Sequence, residues 1–530
     1  MSLAAPSRWV RLTLARLPQF GLARVPDAPL PLVRDLWPGD AARGATILRG
    51  EVDLGGVKAR INPGVFSDHE APPALREAAH GFTWLRDLRA LGTDAARMQA
   101  RAMVDAWMST APRDRIADRP DIAGSRIAAW LGHYDFFAAS ADDGFRQALM
   151  ANLLADARTL AALLPAEAQD VRALTAIKGL VAAGVGLPDQ GGMLSRALRF
   201  LPQELVNQFL PDGMHVERSP GQLQLALQDL IEIRAMLQSG QTQPPNVLIP
   251  CIERTASALR TLKHGDGKLA LFNGTREEGP VPVDLVLAQT GRGGRTMQMM
   301  PQGGFARLSA GKTLLIADCG RPPAPGRDRL AQAGTLSFEM SVGRDRMIVN
   351  CGTVPAATGP WRQASASTAA HSTLSIADTS SSEIHQEGLG RKPESVAFKA
   401  HEEDGVFGLD MSHDGWRLPF GATHQRRLYL SVSGDAVYGV DTLLANQPQP
   451  FTIRFHLHPS VDANLQRGGE AMLISLPNGR GWRLRAPGAR MTLEESIYLG
   501  GPAPRKAEQV VLTGYEDGPQ SVQWDITRIG

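Results

Sequence analysis

The chain has 530 residues, which is too long for one ordinary hydrophobic core and predicts two large domains. Its 43% apolar and 21% charged residues are typical of a soluble globular protein. Lys and Arg number 56 against 54 Asp and Glu, a formal net charge of +2 that argues against a protein coating nucleic acid. The balance still allows a local basic groove for an acidic glycan.

The N-terminal stretch and the cysteines bear on location. Arginines from Arg8 to Arg16 interrupt the apolar residues, so this is a poor signal peptide, and a cytoplasmic location is expected ahead of a periplasmic one. The stretch is predicted to pack on the protein, with a basic amphipathic helix at a membrane surface as the alternative. No run reaches the ~20 apolar residues of a membrane span. Cys251, Cys319 and Cys351 are widely spaced and predict neither a disulfide framework nor a zinc finger.

The first half of the chain is predicted to be helical after an irregular lead-in. Residues 1–76 form the lead-in, which is rich in Pro and Gly and holds short strand-like pieces such as residues 45–48. Over residues 77–290 apolar side chains recur at helical spacing, and short loops punctuate them. This pattern predicts an antiparallel array of amphipathic helices.

The second half is predicted to be an antiparallel β-sandwich. Residues 291–304 are Gly-rich and polar, which places the domain boundary there and the second domain at 291–530. Apolar residues then alternate at a period of two, with hairpin turns at Ala310-Gly311, Ser433-Gly434-Asp435 and Asn478-Gly479. Many short strands at this spacing are typical of a sandwich.

Residues 327–378 hold three strand-like runs. In the first, LSFEMSV, apolar and polar residues alternate as in a half-buried strand. The second, MIVNCG, follows a turn at residues 343–346. In the third, Leu374 and Ile376 share one face, and His371 lies on the other with Thr373 and Ser375.

The order LSFEMS, turn, MIVNCGT and AAHSTL resembles the β-domain signature of the heparinase II/III family of polysaccharide lyases and its alginate-lyase relatives. The resemblance covers most of the chain and is strongest over residues 305–512. It implies an α+β multidomain fold, an N-terminal incomplete α/α toroid followed by a C-terminal antiparallel β-sandwich. It also implies β-elimination on a uronate-containing glycan, with an Asn and a Tyr from the helical domain, His residues from the β-domain, and one β-domain cluster that holds zinc.

The loop DGMHVERSP, residues 212–220, resembles the family's acidic-glycan loop. The family's Tyr and His two residues after the Pro are replaced by Gln222 and Leu223, so the expected phenol is absent. His215, Glu217 and Arg218 remain as catalytic candidates, with Arg218 as a bidentate clamp on a substrate carboxylate.

An alternative interpretation of the same loop is structural. Ser219 would then cap a helix whose first residue is Pro220, while Glu217 and Arg218 would serve only the loop.

The β-domain also departs from the family pattern. The family's His and Asp before the LSF run read Gln332 and Gly334 here, and its acid before the next Gly reads Asn350. Of the presumed zinc ligands only His371 remains. Zinc prefers three or four Cys, His or carboxylate ligands, so no bound metal or other cofactor is expected. His371 is kept as a catalytic candidate, and Gln332 and Asn350 as substrate-binding candidates.

Further substrate-binding candidates come from aromatic and histidine residues. Trp130 and Trp361 have rings able to stack on a sugar face, although core packing is the commoner role of a tryptophan. His424 lies in an element that resembles one facing the family's cleft. His456 and His458 share one strand face in FTIRFHLHP, which predicts a hydrogen-bonded surface pair rather than a metal site.

Two functions follow as hypotheses. The first is a polysaccharide lyase-like protein that eliminates across a uronate with rearranged catalytic groups. The second is a catalytically degenerate protein that keeps the lyase fold and only binds an acidic polysaccharide or oligosaccharide. A hydrolase is less favoured because no pair of carboxylates stands out.

Overall fold

The structure is a computed structural model that describes residues 25–53, 58–110, 114–277, 279, 281–291, 294–354, 359–403, 405–514 and 520–529. The N-terminal stretch with its predicted helix lies outside the described residues. The chain divides into two compact units. The first is the chain up to Gln208 with Leu225–Ile252, and the second is Phe209–Gln224 with everything from Glu253 onward. The second unit therefore includes residues 209–224 and 253–290, which were expected in the helical domain.

The first unit is built of helices. In chain order the α-helices described up to residue 261 are α1 (Ala41–Leu48), α2 (Pro73–Gly81), α3 (Leu85–Leu91), α4 (Asp94–Ser109), α5 (Pro120–Gly132), α6 (Tyr134–Phe137), α7 (Asp143–Leu163), α8 (Val171–Gly186), α9 (Gly191–Gln208), α10 (Pro220–Ser239) and α11 (Leu248–Thr261). Three short helices follow in the second unit, α12 (Val283–Ala288), α13 (Gly359–Ala366) and α14 (Arg417–Phe420).

The lead-in is more regular than expected. It contains α1 and a small hairpin of β1 (Glu51–Asp53) and β2 (Lys58–Arg60). Residues 45–48, expected as a strand-like piece, lie in α1. The side chain of Asp40 accepts hydrogen bonds from the backbone N–H groups of Ala42 and Arg43, so this N-cap overrides the weak strand preference of the following residues.

Helix α8 lies at the centre of the first unit. Nearly all its residues are buried, and most of them are apolar, although the charged Lys178 is among the buried ones. It crosses α5 at two glycines, where a Cβ on Gly179 would stand 2.1 Å from the Cα of Gly124. Only glycine permits so close an approach, and this contact holds the two helices together.

The second unit consists mainly of two antiparallel sheets. Their strands are β3 (Met299–Met300), β4 (Phe305–Ala310), β5 (Thr313–Asp318), β6 (Phe338–Val342), β7 (Asp345–Val349), β8 (Leu374–Ile376), β11 (Val396–Glu403), β12 (Val406–Trp416), β13 (Ala422–Leu430), β14 (Ala436–Ala445), β15 (Phe451–Leu457), β16 (Asp462–Leu465), β17 (Met472–Ser475), β18 (Gly481–Arg485), β19 (Arg490–Tyr498), β20 (Arg505–Thr513) and β21 (Ser521–Arg528). One sheet has eight strands in the order β11-β12-β13-β14-β21-β18-β17-β16. The other has nine, with β19-β20-β15-β7-β6-β5-β4-β3 as its path and β8 paired to β15. A separate short pair is β9 (Ile384–His385) with β10 (Gly388–Leu389).

The inner faces of the two sheets form one hydrophobic core. Phe338 of β6 stacks on Trp524 of β21 with ring centroids 5.9 Å apart, and Phe455 of β15 meets the same indole edge-on at 4.9 Å. The three predicted hairpin turns all lie between paired strands, namely β4–β5, β13–β14 and β17–β18.

The first run of the 327–378 stretch differs from its prediction. The strand begins only at Phe338, since Leu336 adopts a left-handed φ of 63°. All five strand residues are buried, including Glu339 and Ser341 on the face expected to meet water. His264 covers that face, with Nε2 at 3.0 Å from Glu339 and Nδ1 at 2.9 Å from Ser341 Oγ. No helix in the described part of the chain is long and apolar enough to cross a membrane.

Candidate functional site

Within the second unit, Arg218 fastens the loop at residues 212–220 to the segments that flank strands β4 and β5. Its guanidinium donates Nε to Gly303 O at 2.7 Å, Nη1 to Gly320 O at 3.3 Å and Arg321 O at 2.8 Å, and Nη2 to Gly304 O at 2.9 Å. The fifth donor meets Asp318 Oδ1 at 2.5 Å. The five bonds equal the five N–H donors of an arginine.

Arg218 is thus engaged entirely with the protein. Its guanidinium also lies 4.8 Å from the ring centroid of Phe305, and its backbone has a φ of 52°. In this conformation no donor remains to clamp a substrate carboxylate, so the geometry argues against that expectation. The side chain instead connects the loop to strands β4 and β5.

His215 and Glu217 lie side by side in the same loop. Both side chains are buried, with His215 Nδ1 3.6 Å from Glu217 Oε2 and 3.3 Å from the Glu217 backbone nitrogen. The imidazole packs edge-on against Phe209, with centroids 5.5 Å apart. This arrangement supports the loop conformation.

The start of α10 agrees with the structural interpretation of the ERSP sequence. Pro220 is the first helical residue, and Ser219 Oγ accepts from the Gln222 backbone N–H at 3.4 Å. Ser219 also pairs with Thr275 Oγ1 at 3.1 Å. Gln222, at the position of the family's Tyr, is half-buried in the first turn of the helix.

A chain of hydrogen bonds joins this loop to the loops of the β-domain. Asn273 donates Nδ2 to Arg218 O at 2.8 Å, and its Oδ1 accepts from the Gln332 backbone N–H at 3.2 Å. The Gln332 side chain accepts from Gly274 N at 3.1 Å and donates to Ser365 O at 2.9 Å. Gln332 is therefore a buried structural link, and both ends of its amide are occupied by the protein.

His371 packs against Gly334, two residues after Gln332. A Cβ on Gly334 would stand only 2.5 Å from its Cδ2 atom, so the ring packs directly on that glycine. His371 Nδ1 lies 2.7 Å from Ser367 O. Because a carbonyl only accepts, Nδ1 carries the proton and the lone pair of the neutral ring is on Nε2.

Burial lowers the pKa of His371 to about 4, so its imidazole is neutral at pH 7. Nε2 has no hydrogen-bond partner among the residues that the structure describes. The group can accept a proton or a hydrogen bond, but its low pKa makes it a weak base.

Asn350 is buried beside Glu339. Its backbone N–H and its Nδ2 both donate to Glu339 Oε1, at 2.9 and 3.3 Å, and its Oδ1 accepts from Ser372 N at 3.0 Å. The other Glu339 oxygen faces His264. Asn350 thus holds strands together, and both ends of its buried amide already contact protein.

The side chains at the positions of the family's presumed zinc ligands do not suit a zinc ion. The side-chain oxygens of Gln332 and Asn350 are both occupied by backbone N–H groups. Within the described ranges, no three His, Cys, Asp or Glu side chains lie close enough together to hold a metal ion.

Three other predicted residues lie elsewhere. His424 is buried between the sheets, 2.7 Å from Asp441 Oδ1, and so does not face a cleft. Trp130 is fully buried in the first unit, with its ring 5.1 Å from that of Trp107 and 5.2 Å from that of Phe82, which is the core role. Trp361 on α13 is 46% exposed.

The histidine pair of β15 is not a surface pair. His456 is buried, with Nδ1 2.8 Å from Ser496 Oγ and Nε2 2.9 Å from Ala369 O, and burial lowers its pKa to about 3. His458, just beyond the strand, is partly exposed and lies 3.3 Å from Glu277 Oε1.

A cluster around Glu277 was missed from the sequence. The Glu277 carboxylate accepts from Tyr498 Oη and from Lys268 Nζ at 2.9 Å, besides its contact with His458. Burial by itself raises the pKa of Glu277, but these bonds and the charge of Arg346 outweigh burial and hold this pKa well below its usual range. Glu277 and Tyr498 are 221 positions apart, and no local pattern connects them.

The second unit matches a known family model. Residues 292–525 match the model described as "Heparinase II/III-like, C-terminal". Among solved structures, heparinase III superposes with a TM-score of 0.76 at 14% identity, covering 98% of this chain and 89% of that one. Heparan sulfate lyase HepC from Pedobacter heparinus superposes with a TM-score of 0.61 at 14% identity, covering 98% and 87%.

A relative with higher identity is FtsZ-localized protein C of Caulobacter vibrioides. It is 33% identical over 548 residues, which cover 98% of this chain and 92% of that protein. The fold is therefore that of a polysaccharide lyase, a helical α/α toroid region plus a β-sandwich, as predicted. The chain belongs to the heparinase II/III-like family.

Proposed function

We propose that this protein binds an acidic glycan through its heparinase-like β-unit and does not catalyse efficient elimination. The observation that carries the proposal is the position of Arg218, whose five donors are all used by protein acceptors. A lyase must neutralise the substrate carboxylate, and this arginine was the group expected to do so.

The other catalytic positions support the same conclusion. Gln222 replaces the phenol, and Asn350 and Gln332 are tied to internal partners. One general acid or base contributes roughly 10²- to 10⁴-fold in rate, so the loss of several leaves little turnover.

Trp361 is the residue that we expect to contact the sugar. Replacing it with alanine removes an exposed ring and should weaken oligosaccharide binding about 2- to 10-fold, since aromatic contacts contribute about 0.5–1.5 kcal/mol. The measurement is titration calorimetry with heparan sulfate, chondroitin and alginate oligomers. Leu418→Ala is the control, because Leu418 is 75% exposed in the same unit.

The binding assay also tests the proposal itself. Saturable binding together with a flat ultraviolet signal for unsaturated uronate is the expected result. Absence of binding to every acidic glycan in the panel, by protein shown to be folded, would overturn it.

The second candidate function is elimination with His371 as the base, favoured by the unpartnered Nε2 of its neutral ring. In that case His371→Ala should abolish the ultraviolet signal, while the fold, monitored by circular dichroism, should persist. His385→Ala is the control, because that imidazole is 56% exposed on β9. A signal of equal slope in wild type and His371→Ala would exclude His371 as the base.

The cellular setting is a separate part of the proposal. The 33% identity to FtsZ-localized protein C over nearly the whole chain supports association with FtsZ, and on that ground we also propose a cytoplasmic location. Co-sedimentation with FtsZ polymers and cell fractionation test the two points. Protein that stays in the supernatant at every FtsZ concentration would exclude direct association.

A further inference from the structure

A cavity of about 730 Å³ lies wholly within the first unit. Ligand pockets in proteins are typically about 300–1,000 Å³, so a small organic molecule fits. None of the residues predicted to bind glycan lines it. Its walls come from the lead-in, from α3 and from the junction of α5 with α6. The lining residues include Leu30, Arg34, Asp35, Trp37, Arg86 and His133.

The walls are held together by close backbone contacts. A Cβ on Gly39 would stand 2.0 Å from Arg86 O, and one on Gly132 would stand 3.1 Å from Asp35 N. Leu30 N donates to Gly186 O at 2.8 Å. These contacts bring the lead-in against three helices, so the cavity is formed by tightly packed backbone and is available before a ligand arrives.

The floor is fixed by buried polar groups. Trp37 Nε1 donates to Glu232 Oε1 at 2.5 Å, and Glu232 lies 3.2 Å from Lys178 Nζ. Lys178 is also paired with Asp229 at 2.6 Å. The indole of Trp37 is thereby held in one orientation.

Asp35 orients the cationic side of the cavity. Its Oδ2 accepts from Arg86 Nε at 3.0 Å and lies 3.1 Å from His133 Nε2. Burial by itself raises the pKa of Asp35, but the His133 hydrogen bond and the Arg86 charge outweigh burial and lower this pKa to about 2. The carboxylate is therefore ionised at neutral pH and holds both partners in place.

Arg86 is only partly used by this pairing. Its Nε is engaged, but its two Nη groups have no hydrogen-bond partner among the residues that the structure describes. Its side chain is 16% exposed, so the guanidinium is largely removed from bulk water. Arg34 adds a second cation from an exposed position on the same wall. A largely buried guanidinium with unused N–H donors is well suited to bind a carboxylate or a phosphate.

We propose that this cavity binds a small organic anion, a carboxylate or a phosphate ester of about sugar size. The Nη groups of Arg86 hold the anionic group, and Arg34 adds long-range attraction. The body of the ligand lies against the apolar wall that includes Leu30. The site is distinct from the glycan site proposed above, and either can exist without the other.

Full-length protein is titrated calorimetrically with glucuronate, glucose 6-phosphate and neutral glucose. We expect at least one of the two anions to bind and glucose not to bind. The anion with the higher affinity identifies whether a carboxylate or a phosphate is preferred. Hydrogen exchange should then slow in residues 29–39 and 85–91.

Arg86→Gln should weaken binding about 10- to 100-fold, the range of a charged hydrogen-bonded contact. Arg86→Lys keeps a positive charge beside Asp35 but loses the forked geometry, and should recover part of the affinity. Arg34→Gln, at an exposed position, should weaken binding a few-fold at low salt without a change in melting temperature.

Any one of four results would overturn the proposal, and the first three concern binding. These are no binding of either anion, equal binding of glucose, and binding unaffected by both Arg86→Gln and Arg34→Gln. Slowed exchange confined to residues 209–224 and to the β-domain would also overturn it, while supporting the glycan site of the second unit.

Discussion

Arg218→Ala is expected to destabilise the second unit by about 3–5 kcal/mol, the cost of removing one partner of a buried ion pair. The change leaves Asp318 buried without its guanidinium and removes hydrogen bonds from the carbonyls of Gly303, Gly304 and Gly320. Urea unfolding followed by far-ultraviolet circular dichroism measures the loss.

The matched control is Arg321→Ala. The Arg321 side chain is exposed, and only its backbone carbonyl, which the substitution leaves in place, meets Arg218. Its free energy of unfolding should stay within about 0.5 kcal/mol of wild type, as for most surface substitutions. If Arg218→Ala instead left stability unchanged and abolished glycan binding, the carboxylate-clamp role would be supported and the structural role would be wrong.

The partners of Arg218 could not be predicted from the sequence. The ERSP motif identifies an arginine with five donors, but its acceptors lie 85 to 103 residues further along the chain. Nothing local indicates whether those donors meet protein or substrate. The Ser219-Pro220 helix start, by contrast, depends on adjacent residues and was recognisable.

The same distinction applies to the fold. Turns such as Asn478-Gly479 encode their hairpin in two residues, and the alternation of β15 gave its buried face correctly at Phe451 and Ile453. The second face of β6 could not be predicted, because His264 covers Glu339 from 75 residues away. A period-two pattern gives the side of a strand on which a residue lies, but not whether another segment covers that side.

Asp441→Asn is expected to cost about 3–5 kcal/mol of stability, because it removes the charge that balances a guanidinium at the centre of the sandwich. Asp441 Oδ1 accepts from Arg426 Nε at 2.7 Å, and Oδ2 accepts from Arg426 Nη2 at 3.1 Å. Arg426, His424 and Trp524, which surround the carboxylate, are all buried. His424 Nε2 lies 2.7 Å from Oδ1, and Trp524 Nε1 donates to Oδ2 at 2.8 Å. The neutral amide can accept through only one atom, so at least one donor loses its partner.

Asp435→Asn is the control for this prediction. Asp435 pairs with Arg528 at 3.2 Å, but the side chains are 52% and 44% exposed, and such surface pairs contribute about 0–1 kcal/mol. Chemical denaturation at pH 7 compares the two variants. Equal destabilisation would mean that burial does not govern the contribution of Asp441.

The effect of Asp441→Asn should also depend on pH. Burial by itself raises the pKa of Asp441, but the charge of Arg426 and the hydrogen bond from His424 outweigh burial and hold this pKa well below its usual range. A carboxyl whose pKa is lowered by folding contributes stability above its unfolded pKa of about 3.9 and loses it as the pH falls. The difference between wild type and Asp441→Asn should therefore be constant from pH 5 to 7 and decrease below about pH 4. A difference that instead grew on acidification would mean that Asp441 is neutral in the folded protein, and that Arg426 is balanced by another group.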